Sequence, residues 1–259
     1  MADSLFEIGA YKASSVEYEY IYYSYSDNDV KTRALLKKAT CYKKLGLFPE
    51  SLKCLERINV EGLSDSVTYQ VLYETALSAF LSNDYGYAEL QFIQMKLYVK
   101  DSTLINSSQL LYAMTLNEQQ KWTEAEKELE SYITKSNSSL NDSLTKKIHS
   151  LYTGTPKLLN VKKAMRMSSF IPGSGQMYLG YWGDGITNAS LQLCSLAFIG
   201  YNVLAAQYFT AVTLGTGLLQ KFYVGGIHRV KYLGDKKNYE RAKKFNEEAK
   251  KLIIQISSS

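Results

Sequence analysis

Ala39-Thr-Cys-Tyr-Lys-Lys-Leu-Gly-Leu-Phe48-Pro-Glu-Ser51-Leu-Lys-Cys-Leu55 carries a pattern that recurs along the first half of the chain. A small residue is followed nine positions later by an aromatic one. Three further on comes a second small residue, and four beyond that a large ring or a leucine. The aromatic position reads Tyr11, Phe48, Tyr85 and Trp122, at a fixed spacing of 37. The alanines before them are Ala2, Ala39, Ala76 and Ala113; the small residues after them are Ser14, Ser51, Ala88 and Ala125. Tyr18, Leu55, Phe92 and Leu129 complete the four copies. A fixed period over four copies indicates a repeat array in which stacking neighbours, and no single unit alone, bury the apolar faces.

The offsets describe pairs of helices. Alanine lets two helices approach closely, and the aromatic residue opens the second helix and fills the angle between them. The spacing predicts helices over 2–10 and 12–26, 29–45 and 48–58, 64–82 and 85–99, and 103–119 and 122–136. Breakers fall between partners at Gly9, Gly46, Asn83 with Asp84, and Gln120 with Lys121. Asp29, Ser64 and Asp101 or Ser102 are the expected N-caps.

These residues resemble the tetratricopeptide repeat over about residues 2–136, at a period of 37 where ~34 is usual. The resemblance implies a concave groove lined by the first helix of each pair. Its carried-over positions are Arg33, Leu36, Thr40, Lys43 and Lys44; Tyr73, Leu77, Phe80 and Leu81; and Leu110, Met114, Asn117 and Glu118. Leu36 and Thr40 stand where a carboxylate-clamping lysine and asparagine would be, so that mode of binding is not expected. An apolar, aromatic groove suits a hydrophobic or amphipathic helix. The alternative is that the protein's own C-terminal half covers it. Ala2 already sits in the middle of a first helix, which leaves two readings: a removed export signal upstream, or a naturally shortened cap.

Composition excludes several classes. A net charge of +5 over 259 residues, with no concentrated basic stripe, argues against a nucleic-acid binder. The Tyr18–Tyr25 run of rings lacks interleaved basic residues, so it is read as packing and not as a base-stacking platform. Three cysteines, Cys41, Cys54 and Cys194, form no CxxC pair, and the two histidines, His149 and His228, lie far apart. No catalytic set, metal site or cofactor is expected, and an enzyme is the third choice.

The polar loop Ser136–Ser143 and a capping helix over about 140–152 lead to a break at Thr153–Pro156. Lys157–Met167 is basic and amphipathic, as a membrane-surface helix would be. Residues 185–220 then hold no Lys, Arg, Asp or Glu, which is room for two helices joined near Gln207 and Tyr208, at the lower limit for crossing a bilayer. Two readings stand: a membrane hairpin, or a soluble hairpin docked on the repeats. Pro172, Gly173, Gly175, Gln176, Tyr178 and Gly180 resemble a Pro-Gly-x-Gly-Gln-x-Tyr motif of bacterial envelope proteins that join a short hydrophobic hairpin to a repeat array. The motif is expected as a tight turn at the membrane surface. A charged amphipathic helix over 236–256 closes the chain.

The expected architecture is therefore all-α: a helical-hairpin solenoid (1–136), a basic junction (137–168), a hydrophobic hairpin (169–234) and a C-terminal helix (235–259). The expected function is a non-enzymatic, membrane-anchored adaptor or assembly factor in a bacterial envelope complex, touching lipid and a helical protein partner but no nucleic acid. A soluble chaperone-like binder of hydrophobic helices is the alternative. The resemblance places the repeats on the periplasmic side of the inner membrane; the basic flanks favour the cytoplasmic side.

Overall fold

A computed structural model describes residues 1–135 and 141–258, and all regular structure among them is helical. The loop expected at 136–140 lies outside the described residues. The chain divides into two compact units. The first comprises Met1–Thr155 with the C-terminal residues from Asn246; the second is Pro156–Phe245.

In the first unit α1 (Ala2–Glu7) packs on α2 (Tyr11–Ser24), and α3 (Asn28–Lys44) on α2 and α4 (Phe48–Leu55). The order continues with α5 (Asp65–Leu81), α6 (Tyr85–Tyr98), α7 (Ser102–Glu118), α8 (Trp122–Lys135) and α9 (Asn141–Thr153), each against the next. The result is a repeat-like stack of helix pairs. All four aromatic residues of the 37-residue period are the first residue of the second helix in their pair. The other twelve repeat positions are buried, the four alanines included. Ala76 and Ala113 are completely buried.

The turns inside the pairs are alike down to the hydrogen bond. Gly9, Gly46, Asn83 and Gln120 all have φ between 62° and 79°. Each is followed by a residue whose N–H reaches back five positions: Ala10 to Leu5, Leu47 to Tyr42, Asp84 to Ala79 and Lys121 to Leu116. This is the Schellman ending, in which one left-handed residue satisfies two otherwise orphaned carbonyls. Asn83 tolerates that conformation, and Gln120 adopts it against its side-chain preference.

Capping differs from expectation at one helix. Asp27, not Asp29, caps α3, and its carboxylate accepts the Asp29 N–H at 2.8 Å. Asp84 and Asp101 cap α6 and α7 through their side chains, while Ser64 caps α5 without a side-chain bond. Asp65 instead reaches across to the N–H groups of Lys100 and Asp101, at 2.8 and 3.2 Å, tying one pair to the next. Glu19 does the same between the first pairs, accepting from Lys38 at 2.7 Å and from Arg57 at 2.9 Å. Partial burial alone would raise the Glu19 pKa; the two cations outweigh it and hold the carboxyl below its usual range.

The second unit begins with α10 (Val161–Phe170), capped by Asn160, and the short α11 (Ser174–Tyr178). Next come α12 (Trp182–Leu204), a turn at 205–207, α13 (Tyr208–Thr210), a π-helical turn (Ala211–Gly215) and α14 (Thr216–Ser257). The turn sits where the sequence placed it. The helix expected over 236–256 is the later part of α14, which runs 42 residues without interruption. Ala164, Leu179, Val230 and Leu233 form the core of this unit.

Candidate functional site

The positions carried over as a groove separate into two hollows of the first unit. Arg33 and Leu36 line a cavity of ≈ 310 Å³ with Phe6, Lys37, Thr40, Gln70 and Glu74. Leu36 is its buried floor, packed with Ala39, Cys54, Leu55 and Val71. Lys43 is half-buried and paired with Glu74. This hollow is therefore amphipathic, with an apolar floor and both signs of charge at its rim. Tyr73, Leu77 and Leu110 are half-buried on α5 and α7, and Leu81 is exposed. Tyr73 stacks on Tyr69 with ring centroids 5.7 Å apart.

Phe80, Met114 and Asn117 meet at the second hollow, shared with Glu118, Asn246 and Lys250. Here the end of α14 occupies the ground expected for a partner. The Asn246 amide donates to Glu118 at 3.1 Å and accepts from the Trp122 indole N–H at 3.1 Å. Ala249, Ile253 and Ile256 are buried along the same helix. Asn117 is not available to a ligand: it is 2 % exposed, and its amide pairs with the Tyr152 hydroxyl of α9 at 2.8 Å. Burial pushes the Tyr152 phenol up to about 12, against the opposing pull of the Asn117 hydrogen bond. The end of α14 thus meets the carried-over positions Phe80 and Met114, and the hollow between α1, α3 and α5 is a separate one.

The Pro-Gly-x-Gly-Gln segment is a packing hub and not only a surface turn. Ile171 is extended, as the residue before Pro172 must be. Half-buried Pro172 leads into Gly173 at φ +85°, where an added Cβ would lie 2.1 Å from the Gly185 carbonyl oxygen. A Cβ at Gly175 would lie 2.2 Å from the Ala164 carbonyl oxygen. Gln176 is fully buried; it accepts from the Ser168 hydroxyl at 2.9 Å and donates to the Gly226 carbonyl at 3.2 Å. It therefore bonds α11 both to α10 and to α14. Gly180, at φ +89°, gives α11 the same Schellman ending as the repeats, with the Tyr181 N–H on the Gln176 carbonyl. Tyr178 faces outward, with the Lys163 ammonium 5.5 Å from its ring centre.

The uncharged segment is arranged inside out. Its buried positions are Gly185, Gln192, Ser195, Asn202, Ala211 and Gly215, all small or polar. Its exposed positions are the large apolar ones: Ile186, Leu193, Leu196, Phe198, Leu204, Phe209, Val212, Leu214 and Leu218. Leu204 is 90 % exposed and Phe209 82 %, while Gln192 is 4 % and Asn202 3 %. α12 packs on the π-helical turn, and Gly215 is required there because a Cβ would stand 2.5 Å from Ile199. Three of the polar side chains bond the local backbone. Ser195 donates to the Leu191 carbonyl and Asn202 to the Phe198 carbonyl, both at 2.8 Å; Thr213 donates to the Phe209 carbonyl at 2.7 Å. Sequence reasoning found the small and polar residues here but not that they face inward.

The expectation of a membrane-crossing hairpin needs correction. Among the described residues no helix is both long and apolar enough to cross a membrane. With 23 residues α12 has the length; its Asn, Gln, Ser, Thr and Gly residues dilute the hydropathy.

Outside these regions, Glu126, Glu130 and His149 bring ligand atoms within 4.8 Å of one another between α8 and α9. His149 lies 3.2 Å from Glu126 on the exposed face, a surface ion pair when the imidazole is protonated. No family profile, curated protein or solved structure matches this chain.

Proposed function

We propose that the protein is a non-enzymatic adaptor embedded in a bacterial envelope membrane: its tetratricopeptide-like stack docks a helical partner, and the segment around residues 182–224 sits among lipid chains as a hairpin. The observation that carries this reading is the inverted burial of that segment. In water, exposed leucine and phenylalanine over two helices would associate or aggregate. In hydrocarbon the same distribution is favourable, because small residues allow close helix contact and Ser195, Asn202 and Thr213 return their hydrogen bonds to the local helix backbone. Embedding from one face, with the 205–207 turn leading, needs no helix that traverses the bilayer. The docking face is the hollow of Phe6, Arg33, Leu36 and Glu74, which suits an amphipathic helix.

A soluble chaperone-like binder of hydrophobic helices, its hairpin docked in its own groove until a client displaces it, is the second reading. The two readings differ in whether the chain leaves the membrane without detergent.

Membrane retention is the test. The native chain should stay with the membrane pellet through a carbonate wash and leave it only with detergent. Leu193→Asp, Phe209→Asp and Leu214→Asp together should release it, each carboxylate costing about 2.5–3.5 kcal/mol at the centre of an inserted helix. A wild-type chain that washes off as a monodisperse soluble species would end the proposal.

A further inference from the structure

A crevice of ≈ 630 Å³ lies within the second unit where the uncharged segment begins and ends. Asp184, Asn188 and Leu191 line it from α12, and Lys221, Phe222 and Arg229 from α14. Its hydrogen-bonding capacity is unbalanced. Asn188 presses on the helix at Gly226, where a Cβ would stand 2.4 Å from its amide nitrogen. Its oxygen accepts from Gln192 at 3.3 Å, but its buried Nδ2 has no acceptor among the described residues. Arg229 gives its Nε–H to Asp184 at 3.1 Å, which leaves the terminal amino groups of the guanidinium. Lys221 makes no ion pair among the described residues. Two cations and an unpaired amide donor thus face one carboxylate. Beside them Leu191 and Phe222 form an apolar wall that continues into the exposed leucines of α12.

We infer that this crevice binds the phosphate of an anionic phospholipid, with Lys221, Asn188 Nδ2 and Arg229 as donors and the acyl chains along Leu191 and Phe222. A phosphodiester offers only acceptors, which is the chemistry this set lacks. Its placement at the end of the uncharged segment is where a headgroup meets hydrocarbon. A net-anionic headgroup is preferred because a choline would bring a third cation against Lys221 and Arg229. The inference rests on the membrane-embedded reading.

The test uses the full chain purified in a non-ionic detergent, with native mass spectrometry in the presence of phosphatidylglycerol, phosphatidylcholine or inorganic phosphate. The wild type should retain phosphatidylglycerol over phosphatidylcholine. Lys221→Gln should weaken that retention about tenfold, the size of one lost charge-assisted contact. Lys244→Gln, an exposed charge-matched control, should change it less than about twofold. Gly226→Ala, which pushes Asn188 into the crevice, should reproduce the loss. Equal retention of the two lipids, or indifference to Lys221, overturns the site; so does phosphate binding with the same Lys221 dependence and no lipid preference, which makes it a free-anion site. The carbonate wash separates the two failures. Lys221→Gln should still resist the wash, whereas a wild type that washes off removes the membrane reading itself.

Discussion

Gly173→Ala is expected to disrupt the second unit at a cost of at least about 3 kcal/mol. Two independent effects add. The residue has φ +85°, where a β-carbon costs about 1–2 kcal/mol. The new methyl group would also lie 2.1 Å from the Gly185 carbonyl oxygen and 2.9 Å from its carbon. Both obstacles are backbone, so no rotamer change relieves them, and overpacking of this kind costs about 1–3 kcal/mol or more. Relief requires separating the Pro172–Gly173 turn from the start of α12, which would also strain the Gln176 bonds to Ser168 and Gly226. Gly225→Ala is the matched control: nothing lies within 4 Å of its Cβ position, and alanine is the better helix former by about 0.5–1 kcal/mol. Apparent Tm in detergent and resistance of residues 156–245 to limited proteolysis should fall for Gly173→Ala and hold for Gly225→Ala. Equal behaviour of the two variants would show that the close contact at Gly185 does not hold the unit together.

Phe92→Ala should cost about 3–5 kcal/mol, the range for deleting a fully buried ring. Phe92 is 1 % exposed and stands seven residues after Tyr85, at the position that joins one helix pair to the next. Its ring centre lies 5.0 Å from that of Tyr112 on α7, and α6 packs directly on α7. The loss therefore falls on the interface between the third and fourth pairs. In a stack stabilised by nearest-neighbour contacts, a weakened interface uncouples the two sides. Denaturant unfolding should show a lower midpoint and a broadened transition. Tyr20→Ala, at a side chain 69 % exposed, should change stability by less than about 0.5 kcal/mol. A Phe92→Ala cost below about 1 kcal/mol would mean that the period does not mark the joints of the stack.

The first unit was legible because its signal is local and repeated. Ala, aromatic, small and large positions each describe a contact within one pair or with the next, so a fixed spacing suffices to read them. The turn register was legible for the same reason, down to Gln120, a residue that would not be chosen for a left-handed turn in isolation. Asn117 could not be read correctly. Its burial depends on Tyr152, a residue 35 positions away on α9.

The second unit was read less well because glycine carries two meanings. Gly226 and Gly234 look like helix breakers, yet both lie inside α14. Gly226 makes room for Asn188, and Gly234 for Val161, whose Cγ2 would be 2.8 Å from an added Cβ. Close approach, and not a turn, is what these positions require, and that depends on partners more than 35 residues away. The phosphate-site residues were illegible for the same reason. Asp184, Asn188, Lys221 and Arg229 converge only because α12 folds back against the segment that follows. The end of α14 on the fourth pair was visible as an apolar stripe through Phe245, Ala249 and Ile256, but its seat at Trp122 and Glu118 was not.

Cys194 allows a direct test of the inside-out segment without any substitution. It is exposed on α12, whereas Cys41 and Cys54 are buried and their thiols are pushed up by burial. An environment-sensitive fluorophore attached at Cys194 can be followed in the full chain reconstituted in lipid vesicles. The account predicts quenching by nitroxide-bearing lipids and protection from water-soluble dithionite. Rapid bleaching by dithionite on either side of the vesicle, with no effect of the nitroxide lipids, would contradict it.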